Sequence, residues 1–132
     1  MFPGIHDGSL VGYAVDATRR QLSLSVVPEA EDADPFQVVF SGYVAHFFPA
    51  PHLPATLDSI YPVDAGELLT NEWRQIQAGY TSCGFPGAWG RTLPDALSFL
   101  RANHIAAYQI VSSYGLSGWV LATSAATLSH AA

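Results

Sequence analysis

The sequence predicts an α+β fold: a mostly antiparallel sheet, made of an N-terminal β-meander and a C-terminal hairpin, with two helices packed on one face. Alternating apolar and polar residues mark strands towards both ends of the chain. Two runs with helical spacing lie together between them, an order typical of α+β proteins. The 132 residues suit one domain covering residues 1–132, and a 49% apolar content excludes a disordered chain.

The first two strands are predicted over residues 9–15 and 21–27, joined by the polar turn DATRR. The second run shows the period of two that is typical of a half-buried strand, with its apolar positions at Leu22, Leu24 and Val26. This pair therefore opens the meander as a hairpin.

The third strand is predicted over residues 35–48, where both faces are apolar, as expected for a central strand. Gly42 falls inside this run and indicates a bulge or a close approach of two backbones. After a proline-rich loop, residues 57–63 are expected to form a short edge strand before Pro62.

Two helices follow, and each begins at a capping residue. Asp64 precedes the first, whose apolar stripe comprises Leu69, Trp73, Ile76 and Tyr80. Thr92 precedes the second, whose stripe comprises Leu93, Leu97 and Leu100.

The C-terminal hairpin is predicted over residues 105–114 and 119–123. The stretch from 105 to 128 carries no formal charge and is long enough to span a membrane. The GLSG break in its middle and the lack of flanking Lys or Arg favour a buried hairpin. We expect no membrane association, and no signal peptide is indicated at the N-terminus.

The net charge of −6 bounds the class of partner. All five cationic residues are arginines and form no basic stripe, so nucleic-acid binding is disfavoured. Four acids lie within six residues: Glu29, Glu31, Asp32 and Asp34. This acidic loop is either a solvated connection between two strands or a surface that steers a basic partner.

The stretch IHDGSL places His6 beside Asp7 just before the first strand. A metal site needs three or four ligands, and the other histidines are scattered without metal-ligand spacing. We interpret His6 and Asp7 as a structural turn and predict no metal, no cofactor and no catalytic residue. A catalytic or ligand role and a contact with a partner remain the alternatives.

An aromatic turn, GFPGAWG, joins the two predicted helices. Phe85 and Trp89 within it are candidate anchors for a protein partner, because buried aromatic side chains dominate interface energies. The alternative function is a small-molecule pocket between sheet and helices, lined by Trp73, Tyr80, Phe85 and Trp89. Cys83 is the only cysteine, so no internal disulfide can form.

The opening IHDGSLVGYAV, residues 5–15, resembles small bacterial families of immunity-type or uncharacterised proteins that are found beside polymorphic toxins. The order of elements that follows is similar as well. The resemblance implies a cytoplasmic protein that binds a toxin, and it implies no catalytic residue. At Ile5, His6 and Asp7 it implies a shared turn.

Together these observations predict a non-enzymatic bacterial cytoplasmic protein that acts by protein binding. The expected partner is a basic protein such as a toxin, contacted by the acidic loop and the aromatic turn. The charge-poor surface also predicts a homodimer, formed through an unpaired edge strand of the C-terminal hairpin.

Overall fold

The computed structural model describes residue 2 and residues 5–49, 51–80 and 87–129. Cys83 and Phe85 lie outside the described residues, as does the side chain of Tyr80. The described residues form eight strands: β1 (Ser9–Asp16), β2 (Gln21–Val27), β3 (Phe36–Ser41), β4 (Ala45–Phe47), β5 (Ala55–Val63), β6 (Ala106–Tyr114), β7 (Gly118–Ala122) and β8 (Ser124–Ser129). Between β5 and β6, the part of the chain that the structure describes contains the α-helices α1 (Ala65–Tyr80) and α2 (Leu93–Ala102) and a short 3₁₀ helix (Gly87–Gly90).

The strands are hydrogen-bonded in the order β4-β7-β6-β5-β1-β2-β3-β8, and every pairing is antiparallel. The prediction of an α+β fold with a mostly antiparallel sheet is therefore confirmed. β1, β2 and β3 form the meander, and β6 with β7 forms a hairpin.

The sheet closes into a ring, because its two end strands, β4 and β8, are continuations of β3 and β7. β4 continues from β3 after three residues, and β8 continues from β7 after Thr123 alone. The two long strands, 36–47 and 118–129, pair along their length with a shift of one residue near the middle. The ring thus consists of six long strands, two of which bend where they pass from one half of the sheet to the other.

The bend is a close crossing of backbone at Gly42 and Thr123. Gly42 has φ +64°, and a Cβ there would overlap the Thr123 side chain. The Thr123 N–H and hydroxyl both donate to the Ser41 carbonyl, each at 2.9 Å. The sequence signal at Gly42 therefore marked a close approach, as predicted.

The interior of the ring holds the larger apolar cluster. Residues from both halves contribute, among them Leu22, Leu24, Phe40, Leu57 and Ile110, all nearly inaccessible to solvent. The alternation predicted for β2 is confirmed, because its even-numbered residues point inward while Ser23 and Ser25 stay half-buried.

A second apolar cluster joins the helices to strands β4 to β7. Leu69, Ile76 and Leu100 supply its helical part, and Trp119 and Leu121 supply its strand part. The predicted caps are present. The Glu67 N–H donates to the Asp64 carboxylate at 2.7 Å, and the Asp95 N–H donates to the Thr92 hydroxyl at 3.2 Å.

The outer surface of β1, β2, β3 and β8 carries three rows of outward-facing residues, each row joining cross-strand neighbours. From one end, the rows are Asp16–Gln21–Ser41–Ser124, Ala14–Ser23–Val39–Ala126 and Gly12–Ser25–Gln37–Leu128. We call these twelve residues the outer grid. All of them are exposed or half-buried.

The edge prediction for residues 57–63 is confirmed for most of that run. β5 lies between β1 and β6 in the strand order, but β1 pairs with Ala55 and Thr56 alone, so among the described residues 59–63 pair only with β6, and Pro62 falls on this one-sided part of the strand. The prediction of an unpaired edge strand in the C-terminal hairpin is wrong. In the C-terminal hairpin, β6 pairs with β5 and β7, and β7 pairs with β4 and β6, so neither described strand is an unpaired edge.

Replacing Gly42 by Ala should destabilise the fold by about 3 kcal/mol, because the new Cβ meets Thr123 and the left-handed φ disfavours Ala. The matched control is Gly12→Ala in β1, where an added Cβ has no neighbour within 4 Å. Its stability should stay within about 1 kcal/mol of wild type. Urea unfolding measures both, and an equal loss in the two variants would contradict the importance of the bend.

Candidate functional site

The best candidate site lies where the ring closes between β1 and β5. Ser9 at the start of β1 pairs with Val27 on one side and with Thr56 on the other. The residues that precede Ser9 therefore run between the end of β2 and the beginning of β5. The loop that follows β2 contains the four acids.

The turn before β1 completes the short ladder between β1 and β5. Asp7 has φ +61°, and its N–H donates to the Leu57 carbonyl at 2.8 Å. The Leu57 N–H donates to the Gly8 carbonyl at 2.9 Å. Two hydrogen bonds thus extend a ladder of two residue pairs, and Ile5 is buried beneath the turn.

His6 lies between two carboxylates on the surface of this turn. Its Nε2 is 3.4 Å from Asp7 Oδ2, and its Nδ1 is 3.4 Å from Asp58 Oδ1. Asp58 sits at a register shift of β5, a feature that can redirect a side chain. The imidazole is 73% exposed, so the three groups are accessible to a partner.

His6 also forms one wall of a cleft with the acidic loop. The cleft has a volume of about 410 Å³ and is lined by His6, Pro28, Glu29, Ala30, Ala33, Asp34 and Phe36. Glu31 and Asp32 are exposed on the same loop. The structure therefore brings together two features that the sequence analysis treated separately, the His6–Asp7 turn and the acidic loop.

The chemistry of this cleft suits an organic cation. Carboxylates from Glu29 and Asp34 accept hydrogen bonds from a guanidinium or ammonium group, while Pro28 and Phe36 offer apolar surface to its aliphatic stem. Within the described part of the chain, no group of three or more His, Cys, Asp or Glu residues is placed to hold a metal ion.

A tyrosine–histidine pair that was not predicted from the sequence lies inside the ring. The Tyr43 hydroxyl lies 2.6 Å from His46 Nδ1, and the His46 ring packs 4.8 Å from Phe48 and 6.1 Å from Tyr13. Burial raises the pKa of Tyr43 above 10, with a further contribution from Tyr13. Burial also lowers the pKa of His46 below 6.5.

Both members of the pair are therefore neutral at pH 7, and the tautomer of His46 decides which of them donates: Tyr43 O–H donates when the proton is on Nε2, and Nδ1–H donates when it is on Nδ1. The signal for this pair was present in the sequence, since His46 shares a face with Val38 and Phe40 in the predicted third strand. The nearby His52 has a different neighbour, the Tyr114 hydroxyl at 3.2 Å, so His46 and His52 do not form a site together.

The predicted aromatic residues lie among the helices. Trp89 is half-buried and stacks on Phe99, with ring centroids 4.9 Å apart. Trp73 is half-buried against the same second apolar cluster. A cleft of about 390 Å³ does lie beside α1, but its lining is different: Val63, Asp64, Glu67, Leu68, Asn71 and Gln109.

No protein-family model matches the chain, and comparisons with the curated proteins and with the solved structures find no match either. The resemblance of residues 5–15 to immunity-type families therefore stays a prediction. Among the described helices, none combines the length and apolar character that a membrane crossing requires.

Asp7→Ala should cost about 1 kcal/mol of stability, because Ala is disfavoured in the left-handed region that Asp7 occupies. Asp7→Gly should retain wild-type stability, since Gly adopts this conformation freely. Chemical denaturation of the two variants distinguishes backbone conformation from the side chain. Equal losses in Asp7→Ala and Asp7→Gly would show that the carboxylate itself stabilises the turn.

His46 should make the protein less stable as the pH is lowered. Its folded pKa lies below 6.5, so below that pH the unfolded chain binds more protons than the folded chain. This contribution is fully present above pH 6.5 and is lost as the pH falls towards the folded pKa. Unfolding free energies from about pH 8 to about pH 5 should decline less in His46→Gln than in wild type.

The control for this measurement is His104→Gln, which removes an exposed histidine at the end of α2. If wild type and His46→Gln showed the same slope over this range, the lowered pKa of His46 would contribute nothing to the pH dependence of stability.

Proposed function

We propose that this protein is a non-enzymatic bacterial cytoplasmic protein that acts by binding a basic protein partner, as an immunity-type protein binds its toxin. The observation that carries the proposal is the cleft in which His6 meets Glu29 and Asp34. In this proposal the two helices pack on one face of the sheet and stabilise it, and they take no part in binding.

The position of the acids supports binding rather than folding. All four acids of the loop are exposed, and none of them belongs to either apolar cluster. Their mutual repulsion opposes the folded state. Asp7 and Asp58, on either side of His6, add two further carboxylates beside the same cleft. A partner that carries arginine or lysine would relieve this repulsion.

The cleft would supply binding affinity, and the exposed acids of the loop would raise the association rate. The aliphatic part of a cationic side chain that enters the cleft would pack against Pro28 and Phe36 and be desolvated there. Its charged group would bind the carboxylates of Glu29 and Asp34. The exposed acids Glu31 and Asp32 lie outside this lining and would act over a longer range on the approaching partner.

Neutralising the acidic loop with Glu29→Gln, Glu31→Gln, Asp32→Asn and Asp34→Asn should slow association with the partner about tenfold or more at low salt. The partner is isolated by affinity purification from cells that produce the protein, and association is then measured by surface plasmon resonance. The difference between wild type and variant should shrink as salt is added, because screening removes long-range attraction.

The matched control removes four negative charges elsewhere: Asp16→Asn, Glu67→Gln, Glu72→Gln and Asp95→Asn. This variant has the same net charge as the loop variant but retains the cleft. Equal slowing in both variants would reduce the effect to net charge, and failure of the wild-type chain to enrich any basic protein would refute the proposed function.

A further inference from the structure

The outer grid is a sheet face that the second apolar cluster does not use. The strand residues of that cluster come from β4 to β7, whereas the outer grid belongs to β1, β2, β3 and β8. Its central row, Ala14–Ser23–Val39–Ala126, carries no long side chain, so nothing bulky projects from the middle of the face. Leu128 at one margin is 59% exposed.

The charge of the grid sets it apart from the rest of the chain. The chain has a net charge of −6, yet Asp16 is the sole charged member of the grid. Arg19 lies 3.7 Å from Asp16, and both line a groove of about 400 Å³ that crosses the face. The grid with Arg19 is therefore neutral, with one positive and one negative group at the same margin.

We infer that the outer grid is the surface through which two copies of this chain associate. Two chains that each carry a charge of −6 repel one another, and this repulsion is least when their neutral faces meet. A twofold axis in the plane of contact brings the same face of each copy together, and it can set Asp16 of each copy opposite Arg19 of the other.

The size of the face bounds the strength of the dimer. Three strand spacings of about 4.8 Å and two row spacings of about 6.6 Å, with side chains at the margins, give roughly 350 Å². A stable interface needs about 800 Å² per partner. Exposed Val27, on the same face of β2 as Ser25, extends the apolar area only slightly, so the expected dimer is weak and in a concentration-dependent equilibrium with the monomer.

This association is independent of the edge-strand mechanism that the sequence suggested, because the strands concerned are paired on both sides. It also differs from the proposed function in its response to salt. Salt screens the repulsion between two negative chains, so it should leave the dimer unchanged or strengthen it, whereas it weakens binding of a basic partner.

The test is sedimentation equilibrium of the full chain over a wide concentration range. The wild type should approach twice the 14.1 kDa of one chain as concentration rises. Ser23→Arg should weaken the dimer at least tenfold, since it places an unpaired cation at the centre of the face in both copies. Ala126→Arg, on the same row, should do the same.

The control is Ser98→Arg, which adds the same charge at an exposed position of α2 and should leave the dimer intact. Circular dichroism verifies that each variant is folded. A wild-type chain that remains monomeric at the highest concentration would overturn the inference. So would a dimer that persists in both Ser23→Arg and Ala126→Arg, because the interface would then lie elsewhere.

Discussion

The close crossing of Gly42 with Thr123 is the constraint on which the rest of this structure depends. Two long strands must bend at the same place for the sheet to close, and a side chain at residue 42 would occupy the space that Thr123 needs. Both Thr123 donors bind the Ser41 carbonyl, which holds the two bends together. Closure then separates an interior, filled by residues such as Phe40, from an outer surface that is shared between helices and solvent.

Local signals in the sequence predicted both helices and most of the strands, because each signal has a local physical cause. They did not predict β8, and the single strand predicted over residues 35–48 is divided into β3 and β4. Asp64 and Thr92 mark helix starts since their side chains accept backbone N–H groups three residues later. Closure could not be predicted in this way. Gly42 indicates where a strand bends, but no residue near it indicates that β3 and β4 pair with one chain segment 80 residues further on. Pro62 correctly indicated the one-sided part of β5, but it gave no sign that the start of the same strand pairs with β1.

Most of the candidate site could have been predicted from the sequence, although the turn at His6 and the acidic loop were not predicted to lie together. Ser9 pairs with Val27, so continuing the register of the first hairpin places residue 6 opposite residue 30. That single step would have joined His6 to the acidic loop. Asp58 could not have been included, since it reaches His6 through the seam between β1 and β5 and through a shift in register that no sequence pattern announces.

The distribution of charge follows from the same ring. Successive side chains along a strand point alternately into the core of the ring and to the outside. Charged residues are therefore found in loops, in helices and at the outward positions of strands. The acids beside His6 lie at the mouth of the seam, where β1 and β5 share a short ladder and leave room for a cleft. The outward positions of β1, β2, β3 and β8 carry Ser, Ala, Gln and Gly together with Val39 and Leu128, and Asp16 lies at one margin. A surface that concentrates charge at one place and removes it from another can attract a basic partner at the first and approach its own copy at the second. The two contacts draw on opposite electrostatic terms, attraction between unlike charges and relief from repulsion between like charges, so neither one requires the other.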